Sequence, residues 1–192
     1  MLWRQSPEPG YFKRLKGQEQ NRLLEVVIYP SGETPKTLVE SAVDKKREAQ
    51  REARSVRNNY LKYDEVWCVF DVDEHPRLPD AKQQARDNGI QLAISNPCFE
   101  LWILLHFRDQ TAHVHRHEAQ RACQEYLPDY QKDVPFDALR PHYEDAVARA
   151  RALDHRQETA GDAGGNPSTG VYRLTERIHE LGREEQLRRL GR

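Results

Sequence analysis

Glu65-Val66-Trp67-Cys68-Val69-Phe70-Asp71-Val72 (EVWCVFDV, 65–72) is nearly continuously apolar and rich in β-favouring side chains. That is the pattern of a strand covered on both faces in a parallel sheet. Its end is acidic, with Asp71, Asp73 and Glu74 followed by His75. Beyond it, Leu78 to Asn88 reads as a short helix closed by Gly89, and Ile90 to Ile94 as a second strand. Before it, Thr34-Pro35 supplies an N-cap and an N1 proline for a long helix with the apolar stripe Leu38, Val39, Ala42, Val43 and Ala49. Leu23 to Tyr29 (LLEVVIY) reads as another buried strand, and Pro9 to Gln20 as a helix carrying Tyr11, Phe12 and Leu15 at helical spacing. The alternation α-β-α-β-α-β predicts an α/β protein whose parallel sheet is flanked by helices through right-handed crossovers. From Asn96 onward the pattern is helical over 97–108, about 115–126, 143–155 and 171–189, with the loop ETAGDAGGNPSTG between the last two.

With 192 residues, 37% of them hydrophobic and 32% charged, the chain can bury one core, or one core with a helical appendage. We expect an α/β core over 1–110 and a helical region over 111–192 packed on it as one domain. Lys+Arg 30 against Asp+Glu 31 gives a formal net charge of -1, so attraction to nucleic acid or an anionic membrane must come from a local patch. The longest apolar run, Phe99 to Phe107, contains Glu100 and His106 and is about half the roughly 20 residues of a membrane span. No signal-like apolar segment opens the chain. Cys68, Cys98 and Cys123 are odd in number and widely spaced, as expected of buried thiols in a cytoplasmic protein. GxxxxGKS/T, GxSxG and HExxH are absent, which removes the P-loop, the commonest serine-hydrolase and the zincin readings.

Ligand crevices of doubly wound sheets lie beyond the carboxyl ends of the strands. Alternation along 65–73 sends Asp71 and Asp73 to the same side, close enough to share Mg²⁺ or Mn²⁺; the bland alternative is a solvated acidic turn. In SNPCFELWILLHF (95–107), Asn96 is a candidate N-cap with Pro97 at N1, opening a helix apolar nearly all round. Glu100 in that setting needs a cation or a donor: either an arginine salt bridge or a share in the Asp71/Asp73 site. His106 reads as a satisfied core or rim histidine. His113, His115 and His117 read as a solvated loop or helix start, with a metal site as the lesser alternative. Lys45, Lys46, Arg47, Arg51, Arg54 and Arg57 make the long helix basic, either as a solvated face or as a phosphate-backbone patch. Asn166-Pro167-Ser168-Thr169 is a helix-capping signal whose amides and hydroxyls could also receive a phosphate.

YDEVWCVFDVDEH (63–75), AISNPCFELWILLHF (93–107), LPDYQK (127–132) and NPSTGVYRL (166–174) resemble, in order and spacing, the signature blocks of RloB-like proteins. The resemblance implies a Toprim-like parallel sheet with a helical C-terminal extension, and a place in bacterial restriction or abortive-infection systems, often beside an ATPase partner. It implies Mg²⁺- or Mn²⁺-dependent cleavage of nucleic acid, DNA or tRNA, with Asp71 and Asp73 holding the metal and Glu100 as a third catalytic carboxylate. Glu8, His75, Asn96, Asn166, Ser168 and Thr169 become candidates for orienting that site or touching substrate. The alternative is a catalytically inactive subunit docked on the ATPase. Family members begin with a strand ending in a Glu-Gly pair ahead of a TE-x-x-YF segment. Here Glu8 to Phe12 matches only that segment, so we expect the first strand and its glutamate to be missing, through a misassigned start or a truncated copy.

Overall fold

The computed structural model describes residues 7–19, 24–27, 34–72, 77–128, 130 and 134–191. The apolar run at 65–72 forms β1 (Trp67–Asp71), and its parallel neighbour is β2 (Gln91–Asn96), in the register Trp67↔Gln91 to Asp71↔Ser95. The crossover helix α3 (Leu78–Asn88) ends as predicted, with Gly89 at φ 62 in the left-handed conformation that glycine adopts without steric cost. Helix α2 (Pro35–Ser55) begins at the predicted cap, the Thr34 side chain accepting from Thr37 N. It packs Val39, Ala42 and Val43 with Cys68, Ala81, Ala85 and Ile90 on one side of the sheet. Lys46 Nζ donates to the carbonyls of Asn88 (3.0 Å) and Gly89 (2.9 Å), and Arg47 reaches Asn88 Oδ1 at 3.0 Å, so two cations of α2 finish α3.

The other side is covered by α1 (Pro7–Gln18), α4 (Glu100–Leu105), α5 (Arg116–Tyr126), the short α6 (Phe136–Leu139), α7 (Tyr143–Thr159) and α8 (Val171–Leu190). All six residues of α4 are buried. Its side chains Leu101, Trp102, Ile103, Leu104 and Leu105 form the centre of the larger core, each worth about 1.5–3 kcal/mol of transfer free energy. Around them stand Tyr11 and Leu15 of α1, Cys123 of α5, Leu139 of α6, Leu153 of α7 and Ile178 of α8.

Three expectations change. The sheet is not wholly parallel: Ser168–Thr169 forms a short β3 antiparallel to β2, pairing Ser95↔Thr169 and Asn96↔Ser168. Gly170 N donates to Ile94 O at 2.8 Å, and the Ser95 and Thr169 hydroxyls meet at 2.9 Å, so the return of the Gly-rich loop closes this edge. The expected strand at Leu23 to Tyr29 is described only over Leu24–Val27, and these four residues lie outside the sheet. Their alternation is real, with Leu24 and Val26 packed on the core and Glu25 turned out to Lys45 (3.2 Å) and the Tyr63 hydroxyl. Side-chain anchoring replaces a backbone ladder. Finally, α4 is shorter than the predicted 97–108 and is not capped by Asn96: Phe99 takes the cap position without a side-chain bond, and the Asn96 amide donates to Gly164 O at 3.0 Å instead. Among the described residues no helix is long and apolar enough to cross a membrane.

Candidate functional site

Asp71 is the last residue of β1 and Ser95 its partner on β2, with Val72 N donating to Ser95 O at 2.7 Å. The carboxylate thereby stands at the carboxyl edge of two parallel strands, beside the turn that leads into α4. Arg116, the first residue of α5, places Nη2 3.1 Å from Asp71 Oδ2. One turn into the chain's most apolar segment, Glu100 is 1% exposed, and Tyr130 OH donates to its Oε1 at 3.4 Å. The Cys98 thiol bonds to the Glu100 side chain and feels the charge of both acids. Burial first, then the charges of Glu100 and Asp71, push this thiol well above its usual range. The Tyr130 phenol is raised in the same way, by burial first and then by Glu100, Cys123 and Glu8 of α1. Burial alone pushes the Cys68 thiol up to about 12.

Asp71 pairs with an arginine, and the partners of Glu100 include a phenol and a thiol. Asp73 and His75 lie outside the described residues. Among the described residues no three His, Cys, Asp or Glu side chains stand close enough together to hold a metal ion. Carboxylate oxygens suit a hard cation in kind, and Asp71 already attracts a positive group.

Residues 5–178 match the family described as RloB-like protein. The chain belongs to the RloB-like family. No curated protein and no solved structure gives a match.

In this RloB-like chain the four sequence blocks meet at one place. Asp71 comes from the first and Ser95 to Glu100 from the second. Tyr130 of the third reaches Glu100, and Thr169 of the fourth reaches Ser95. The fourth block works largely as structure. Asn166 exchanges two bonds with the Val114 backbone (3.1 and 2.9 Å), Ser168 and Thr169 are buried, and Thr169 Oγ1 accepts from Val171 N at 3.4 Å. The capping reading of NPST is corrected: α8 has Gly170 at its cap position without a side-chain bond, because Ser168 and Thr169 are taken up in β3 and Asn166 is held by Val114. His106 is a core histidine, 1% exposed, its Nδ1 bonded to Trp102 O at 2.9 Å, with burial bringing its pKa down to about 4. His115 precedes α5, its backbone N donating to Glu118 at 3.0 Å, and its ring meets His113 edge-on at 4.9 Å. Arg116, Cys98 and Tyr130 were not singled out by sequence reasoning. Their only signal was membership of, or adjacency to, the motif blocks.

Proposed function

We propose that this RloB-like protein is a Mg²⁺- or Mn²⁺-dependent nuclease of bacterial defence, with a Toprim-like core over 1–110 and the helical region 111–192 built onto it. The observation that carries the reading is Asp71 at the carboxyl edge of β1, charge-balanced by Arg116, with the buried Glu100 acting on the same Cys98 thiol. Asp71 and Asp73 would hold the cation, which when bound supplies Lewis-acid stabilisation of a phosphate and a more acidic water. Arg116 has two tasks in this account: it neutralises Asp71 when no cation is bound, and once displaced it offers a planar, bidentate grip on a phosphate oxygen pair. Glu100 is a positioning carboxylate, fixed by Tyr130 and Cys98 and shielded from solvent.

The Arg116–Asp71 pair also favours a second reading, in which the guanidinium permanently replaces the cation and the chain serves as a docking subunit for an ATPase. Cleavage assays on tRNA, single-stranded DNA and duplex DNA, with and without the ATPase, separate the two. Metal-dependent cleavage that falls at least about a hundredfold in Asp71→Asn supports the nuclease, since groups acting as one site are lost together. Wild-type protein without cleavage on any substrate, alone or with the ATPase, supports the docking subunit.

A further inference from the structure

The C-terminal end of α2 carries charge that the fold does not use. Lys45, Lys46 and Arg47 are engaged, with Glu25, with the α3 terminus and with Asn88. Residues 51–62 then hold four cations, Arg51, Arg54, Arg57 and Lys62, against the single carboxylate of Glu52. All four are exposed, and among the described residues none has a side-chain hydrogen bond or ion pair. In their midst Tyr60 is 98% exposed, with Val56 at 59% and Leu61 at 38% beside it. An aromatic ring wholly in solvent, in a segment of exposed, uncompensated cations, is the chemistry of a base-stacking platform on a phosphate-binding surface.

The backbone adds an independent sign. Arg57 has φ 53, the left-handed conformation that ends a helix and that glycine fills best, while Asn58 N closes the turn onto Ala53 O at 2.9 Å. An arginine here accepts strain, and its side chain makes no hydrogen bond or ion pair within the described protein in return. A local rule broken without an internal gain marks a side chain retained for something outside the chain.

We infer that this end of α2 binds an unpaired nucleic-acid segment, the Tyr60 ring stacking on a base while Arg51, Arg54, Arg57 and Lys62 face phosphates. The inference rests on the nuclease reading for its substrate class. An acidic peptide would satisfy the cations but would leave the bare ring without a role. The patch precedes the amino end of β1 and Asp71 closes its carboxyl end.

The test is fluorescence anisotropy with labelled oligouridylate and oligothymidylate of roughly a dozen nucleotides. It uses Asp71→Asn protein with divalent cations chelated, so that nothing is cleaved. Tyr60→Ala in that background should weaken binding about tenfold and Tyr60→Phe should restore it. Arg54→Glu with Arg57→Glu should weaken it further and flatten its salt dependence. Arg57→Gly should raise Tm by a few degrees while lowering affinity, a combination that a purely structural residue does not give. Absence of binding, affinity indifferent to Tyr60, or equal competition by oligoglutamate overturns the inference. Binding that follows Tyr60 in a protein that never cleaves defeats the nuclease reading and leaves this site standing. Cleavage with Tyr60-independent binding does the reverse.

Discussion

Arg116 Nη2 stands 3.1 Å from Asp71 Oδ2, and the two side chains keep only 26% and 15% of their surface in contact with solvent. Partial shelter makes the pair stronger than a surface ion pair, and loss of one partner leaves the other charge poorly solvated. Arg116→Met should therefore destabilise the metal-free protein by about 1–2 kcal/mol. Saturating Mg²⁺ should recover most of that loss, because a cation on Asp71 stabilises the folded state by mass action. Thermal melts with and without Mg²⁺ read both effects. A loss that Mg²⁺ does not recover would mean the guanidinium is a structural fixture.

Tyr130 supplies the phenolic donor to the buried Glu100. The contact is long at 3.4 Å, so its removal in Tyr130→Phe should cost only about 1 kcal/mol in urea denaturation. Cleavage should fall by a larger factor than this stability loss implies, because Glu100 would lose its fixed orientation. A variant with parental activity would make Tyr130 a packing residue.

His106 is neutral in the fold, its pKa brought from the ordinary 6.5 down to about 4, by burial first and with the Arg149 guanidinium nearby adding to the effect. A folded pKa below the unfolded one means that the unfolded chain binds the proton more readily. The stability contribution is thus intact above pH 6.5 and is lost as pH falls toward 4, by about 3 kcal/mol. His106→Gln should be less stable at neutral pH yet lose less on acidification. Parallel pH profiles for the two proteins would remove His106 from the acid response.

Gly89 combines φ 62 with a Lys46 Nζ that would lie 3.2 Å from an added Cβ. Gly89→Ala should cost about 1–2 kcal/mol through the left-handed backbone alone. Lys46→Met should cost a comparable amount by stripping the last carbonyls of α3 of their charged donor. Chemical denaturation of the single and double variants tests whether the two share one structural unit. If they do, the costs will be less than additive.

Periodicity and punctuation made most of this fold readable. Thr34-Pro35, Gly89 and the apolar block at 65–72 carry local signals strong enough to place the start of α2, the whole of α3 and β1 within one or two residues. The single-turn α6 and the two-residue β3 escaped, because short elements owe their existence to distant partners: Thr169 is held by Ser95, 74 residues away. Leu24 to Val27 misled for the opposite reason, since its alternation reports burial and says nothing about whether a neighbouring backbone is there to pair with. At the site, Asp71 and Glu100 were legible as acids in apolar sequence, which must find compensation. Which residues compensate them was not, because Arg116 and Tyr130 arrive from α5 and from the segment beyond it.

The central claim is that Asp71 is a carboxylate that holds a divalent cation when Arg116 lets go. Mn²⁺ titration followed by electron paramagnetic resonance tests it without requiring a substrate. Wild-type protein should take up Mn²⁺, Arg116→Met should bind it roughly tenfold more tightly once the competing cation is gone, and Asp71→Asn should lose the site. Equal Mn²⁺ binding by wild type and Asp71→Asn, or none by either wild type or Arg116→Met, would contradict the account.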